Sequence, residues 1–227
     1  MLFSLLRGEL NFQVAVANVI AVLIIIFLVL PFHEWAHAFV GYKLGDVSVK
    51  YRGRLSFNPI EHIDPMGALF LLLFGYGWAK PVPIDARNFK KPKRDMALTA
   101  LAGPVAHIVA AMLGALIAHA LLAFATLFII QNIIGNIIYM MISYYISINI
   151  TLAVFNLIPI PPLDGSKILF AFLPNHAVQW FYRYEQIIRI VLIMLVFVGV
   201  LSYPINFIAG YLNGFVWWIT GLPFAFF

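Results

Sequence analysis

After an uncharged run from Val14 to Phe32, three ionisable side chains arrive within five positions: His33, Glu34 and His37. On a helix advancing about 100° per residue, His33 and His37 stand one turn apart on the same face, separated by roughly 40° around the axis. Two imidazoles so placed can share one metal ion, and the Glu34 carboxylate falls close enough to polarise a water on it. This is the H-E-x-x-H spacing with which zinc hydrolases hold a metal and a general base. A pattern with three fixed positions recurs by chance, and paired histidines can equally be satisfied by neighbouring carbonyls. The setting separates the two readings, because ionisable groups at membrane depth are expensive and mark function by default.

A catalytic zinc takes three protein ligands and a water. The chain has no cysteine, so the third ligand is a histidine or a carboxylate. His62, His107, His119 and His176 are the remaining histidines. Asp164, in Asn156-Leu157-Ile158-Pro159-Ile160-Pro161-Pro162-Leu163-Asp164-Gly165, is the stronger candidate. The prolines forbid regular helix there, so the chain can turn the carboxylate back to the depth of His37, and Gly165 permits a close approach. The plainer reading of Asp164 is a loop aspartate capping the next helix, and His62 or Asp64 compete for the ligand position.

The elements that must position these residues are set by composition. With 63% hydrophobic and 10% charged residues, the chain has more apolar surface than a soluble domain can bury, which makes it a polytopic membrane protein. The net charge of +5 would suggest nucleic acid in a soluble protein; here basic residues report topology, and no nucleic-acid partner is expected. No stretch is polar enough for a soluble appendage, so residues 1–227 read as a single membrane-embedded domain. The first apolar run is longer than a signal-peptide core and contains the motif, so it is retained.

Residues 1–10 read as a short amphipathic lead on the membrane surface. Asn11 can cap a helix to about Tyr42, kinked at Pro31. Val47, Val49 and Tyr51 alternate with Ser48, Lys50 and Arg52, which predicts a small β element at the membrane edge over 46–57. The apolar stretch 66–78 is too short to span and reads as re-entrant. Asp95 starts a helix to about Ile129 whose first part is broken at Gly103-Pro104. A second runs from about Asn132 to Leu157, followed by a span over 190–203 and a weaker aromatic one over 207–227. The expected fold is thus all-α, with about five to six membrane segments including the re-entrant one. If 66–78 re-enters, every basic residue except Arg7 falls in loops 41–65, 79–95 and 161–189 on one side, the cytoplasmic side by charge bias. The protein then sits in the cell membrane with its motif toward the cytoplasm.

His33-Glu34-Trp35-Ala36-His37, paired with Asn156 to Gly165 as N-x-x-P-x-P-P-L-D-G, resembles the site-2 protease family of intramembrane zinc metalloproteases. His62-Ile63-Asp64-Pro65-Met66-Gly67 and Gly77-Trp78-Ala79-Lys80-Pro81-Val82-Pro83 resemble its compact prokaryotic branch, which lacks PDZ and CBS modules. The similarity runs from about residue 30 to 170. It implies zinc held by His33, His37 and Asp164, Glu34 as general base, and Asn156 assisting substrate. Where the family often has A-G-P-x-x-N, this chain has Ala102-Gly103-Pro104-Val105-Ala106-His107. His107 therefore either substitutes as a donor or faces a neighbouring helix.

The implied function is hydrolysis of peptide bonds within or near transmembrane helices, with a transmembrane protein as substrate and membrane lipid as surroundings. No motif specifies an oligomeric state. A substrate helix must unwind before cleavage, because its peptide groups are internally hydrogen-bonded, and the 47–57 strand would offer an edge for the extended form. A metal transporter using the same residues would need more polar groups along its spans than Ser143, Ser147, Asn149 and Thr151. An inactive membrane scaffold would have no need of Glu34.

Overall fold

The computed structural model of the protein describes residues 11–74 and 77–225; the lead read over residues 1–10 lies outside them. Helix α1 (Phe12–Leu44) begins where Asn11 caps it, its side chain accepting from Gln13 N. Pro31 has no N–H to give and its ring crowds the carbonyl of the preceding turn. The helix absorbs this by widening to a π-helical turn over Ile25–Val29, which hands Pro31 to the second residue of the regular helix that follows. The expected kink is thus a local change of winding directly before the ligands.

Helical turns α2 (Ser48–Tyr51) and α3 (Pro59–His62) and helix α4 (Pro65–Phe74) follow. No strand occurs among the described residues, which corrects the β element expected over 46–57. Asp46 explains the difference: its Oδ1 accepts from Ser48 N at 3.1 Å and from Ser48 Oγ at 2.6 Å, curling the chain into a helical turn. A half-buried strand would have hidden Val47, Val49 and Tyr51 together. Only Val49 is buried, at 0% exposure, whereas Val47 is 51% and Tyr51 86% exposed.

Helix α5 (Pro92–Gln131) and helix α6 (Ile133–Asn156) form an antiparallel pair. The break expected at Gly103-Pro104 is absent: α5 runs through Pro104, and its one non-helical residue is Ala125 (φ −135°, ψ 25°). A single proline removes one bond from a forty-residue helix, and membrane helices tolerate this where neighbours cover the freed carbonyl. Asn132 ends the turn between them and caps α6 through Ile134 N at 2.8 Å.

Short α7 (Asp164–Phe170) and α8 (Asn175–Arg183) lead to α9 (Glu185–Val198) and α10 (Ser202–Gly221). Three helices, α1, α5 and α6, are long and apolar enough to cross a membrane, and a fourth span arises if the pair α9 and α10, bent by 77°, counts as one. This is fewer than the five to six segments expected. Helix α4, at ten residues, extends only about 15 Å.

Ala111, Ala115 and Ala118 of α5 meet Ile142, Ile146 and Ile150 of α6 and Ile205 and Ala209 of α10. Between lipid-bathed helices burial of apolar surface gains little, so close packing on small residues holds them together. A second cluster joins Val22, Ile25, Ile26 and Val29 of α1 to Leu71, Ala110 and Leu152. Helices α1, α5 and α6 therefore meet at the π-helical turn, and the buried polar residues of α1 follow directly after that junction.

Candidate metal centre

The inner face of α1 presents His33, Glu34 and His37, all buried, while Trp35 stacks on Phe39 at 4.9 Å and on Phe57 at 4.5 Å on another side of the helix. The two imidazoles cross nearly at right angles, 4.6 Å between centroids. Their Nε2 atoms are 3.1 Å apart, and Asp164 Oδ2 lies 3.1 Å from His37 Nε2 and 3.4 Å from His33 Nε2. Three lone-pair atoms crowded this closely repel one another unless a proton or a cation sits among them. A tetrahedral zinc with bonds of about 2.0–2.1 Å spaces its ligand atoms about 3.3 Å apart. The three residues fit the group.

Each ligand is oriented from behind. His37 Nδ1 donates to the Thr99 carbonyl at 2.7 Å, leaving Nε2 as the lone-pair nitrogen. Asp164 opens α7, drawn inward by the Pro159–Pro162 break, and its Oδ1 faces the Lys167 ammonium at 3.3 Å while Oδ2 faces the histidines. It does not cap its helix, whose N-cap is Leu163 with no side-chain bond. Gly103, on the face of α5 that meets the rings, leaves room for them: a Cβ there would collide with both imidazoles.

Glu34 stands beside this group without belonging to it. Its Oε1 is 4.0 Å from His33 Nε2, and its Oε2 accepts the Val82 backbone N–H at 2.9 Å. The segment that supplies Val82 is itself pinned. Lys80 N donates to His62 O at 2.8 Å. Buried Asp46 accepts from Asp85 N at 2.8 Å and from Asn88 Nδ2 at 2.7 Å, in addition to Ser48. Burial opposes the charge of Asp46, but these hydrogen bonds outweigh it and hold the carboxyl below its usual range.

The family model of peptidase family M50 matches residues 21–199. The chain belongs to that family, the site-2 proteases, which are zinc metalloproteases. It is 40% identical over 148 residues to a Bacillus subtilis protein named "Putative zinc metalloprotease YwhC", covering 64% of this chain and 67% of the other. It is 29% identical over 223 residues to "Putative zinc metalloprotease Rip2" of Mycobacterium tuberculosis, covering 96% and 80%. An archaeal relative, "Putative zinc metalloprotease MJ0611" of Methanocaldococcus jannaschii, is 28% identical over 145 residues, 61% of this chain and 63% of its own. No solved structure matches.

In this M50 chain the other candidate residues are placed as follows. Asn156 ends α6 with its Nδ2 donating to Leu152 O at 3.0 Å, so its amide is turned along its own helix. His62 is fully buried and bonds Ser56 O at 2.8 Å, outside the ligand group. His119 bonds Trp217 O, tying α5 to α10, and His176 is exposed. His107 is buried on the same face of α5 as Thr99 and Gly103; its Nδ1 bonds Asn149 Oδ1 at 3.0 Å and its ring lies 4.7 Å from that of His33. Thr99, Val82 and Asn149 were not singled out by sequence as site residues. Thr99 and His107 do carry a sequence signal, since with Gly103 they recur every fourth residue along one face of an apolar helix. Val82 acts through its backbone and leaves none.

Proposed function

We propose that the protein is an intramembrane protease that hydrolyses peptide bonds within or near transmembrane helices of membrane-protein substrates, using a zinc ion held by His33, His37 and Asp164. The observation that carries this reading is the convergence of three ligand atoms, spaced as a tetrahedral metal requires, beside a carboxylate that is not one of them. Zinc bound there supplies a Lewis acid and a water whose pKa lies near 7.

The chain's own residues supply the rest. Glu34 Oε1, the oxygen left free by Val82, takes the proton of the attacking water and passes it to the leaving amine. The Val82 N–H keeps Glu34 from swinging toward the metal. Asn156, released from Leu152 O by a side-chain rotation, donates to the substrate backbone or the developing oxyanion. Burial of the group among α1, α5 and α7 removes competing water and strengthens each of these interactions.

Residues 1–227 act as one membrane-embedded domain in the cell membrane, with α4 as a re-entrant half-span. The basic loops 41–65, 79–95 and 161–189 face the cytoplasm, which places the metal group toward that side.

Glu34→Gln tests the assignment. The isosteric amide should leave zinc bound and lower cleavage of a purified transmembrane substrate by about a hundredfold or more, as a zinc chelator does to the wild type. A Glu34→Gln protein that lacks zinc, or cleaves at the wild-type rate, contradicts it.

A further inference from the structure

Two ring nitrogens beside the metal group are buried without a partner: His33 Nδ1 and His107 Nε2. They belong to adjacent rings, 4.7 Å between centroids and inclined by 44°. Buried polar atoms are rarely left unpaired, because nothing then replaces the water they gave up.

Their neighbours determine which is donor and which acceptor. The Tyr145 carbonyl can only accept, so Asn149 turns its Nδ2–H toward it at 2.9 Å. Asn149 Oδ1 then faces His107 Nδ1 at 3.0 Å. A neutral imidazole carries one N–H and one lone pair, so His107 holds its hydrogen on Nδ1 and its lone pair on Nε2. His33 directs Nε2 toward His37 and Asp164 as a ligand and therefore holds its hydrogen on Nδ1. The two orphaned atoms are one donor and one acceptor.

We propose that His107 is a positioning residue for the ligand His33: its Nε2 accepts the His33 Nδ1–H, directly or through one water, and Asn149 fixes the tautomer that allows this. The proposal rests on His33 being a metal ligand. It completes a symmetry already half visible, since His37 has its own outer partner in the Thr99 carbonyl. Such partners hold the ring in place and raise its basicity as a ligand. The chain Tyr145–Asn149–His107–His33 also links α6 through α5 to α1, so packing of the spans is coupled to ligand geometry.

The test measures metal binding by the full chain in detergent, as Zn2+ affinity by competition with a chromogenic chelator and as the Co2+ absorption spectrum. His107→Leu is expected to weaken Zn2+ binding about tenfold to a hundredfold and to alter the Co2+ bands. His107→Gln, which keeps an acceptor, is expected to restore most of the affinity. Wild-type affinity in His107→Leu, or equal weakening by Leu and Gln, means that the ring only fills space, and overturns the proposal. Should His107→Leu not fold, Asn149→Leu carries the same test, because it frees the His107 tautomer without removing the ring; several-fold weaker binding is expected and unchanged binding overturns the proposal. His33→Ala separates this from the underlying reading. Loss of metal in His33→Ala with unchanged binding in His107→Leu defeats the proposal alone, whereas retention of metal in His33→Ala defeats both.

Discussion

Replacing Gly103 by alanine adds one methyl group to a residue that bears no functional group, and it should nonetheless weaken metal binding severely. The added Cβ would lie 2.6 Å from His37 Cε1, and nearer still to His33 Cε1 and His37 Nε2. Ordinary carbon contacts are about 3.5–4.0 Å, so the rings must retreat by about 1 Å. Helix α5 cannot yield instead, because Ala100, Pro104 and His107 around Gly103 are themselves buried. Metal–ligand distances tolerate only about 0.2 Å. Zinc affinity should therefore fall by about a hundredfold or more. The cost to the fold is much smaller: overpacking costs about 1–3 kcal/mol, and the helix preference for alanine over glycine returns about 1 kcal/mol. Chelator competition reads the affinity, and thermal unfolding of the metal-free protein confirms that it is folded. Gly210→Ala is the control, because its Cβ meets nothing within 4 Å, and it should bind zinc like the wild type. Wild-type affinity in Gly103→Ala would refute the placement of both imidazoles against α5.

Val82→Pro removes the N–H that Glu34 Oε2 accepts, a hydrogen bond to a charged group worth about 1.5–3 kcal/mol; kcat should fall about tenfold to a hundredfold with zinc content unchanged, and an unaltered kcat would show that Glu34 needs no such anchor. The topology has a clean test because the chain has no cysteine. Single cysteines at Ser48, Lys91 and Gln179 should all be shielded from an impermeant thiol reagent added to intact cells, whereas labelling at Lys91 but not Ser48 would make 66–78 a span.

The histidine pair was legible because it is local in sequence, whereas Asp164, 127 residues beyond His37, could be marked only as a candidate. His33 and His37 share a face by helical periodicity alone, and the proline run before Asp164 announces a chain that leaves its helix. The support behind them was not legible. The carbonyl of Thr99 and the amide of Val82 belong to the backbone, and only tertiary structure brings them to His37 and Glu34. Asn149 looked like one polar residue among several on α6 until its partner His107 appeared across the interface. The alternation at Val47, Val49 and Tyr51 predicted a strand, but the buried Asp46 carboxylate captures Ser48 and the chain coils instead. Pro31 was legible as a perturbation, though not in its form, since a wide turn upstream relieves the same clash that a kink would.

The proposed role of Asp164 is to complete the zinc site begun by His33 and His37. It is tested most directly by zinc content and affinity, measured side by side on wild-type protein, Asp164→Asn and His62→Ala. Asp164→Asn should weaken zinc binding by orders of magnitude, since it replaces an anionic ligand by a neutral amide at the oxygen 3.1 Å from His37 Nε2. His62→Ala should keep wild-type zinc, because its ring serves Ser56 O in a separate loop. Zinc retained by Asp164→Asn and lost by His62→Ala would contradict the account.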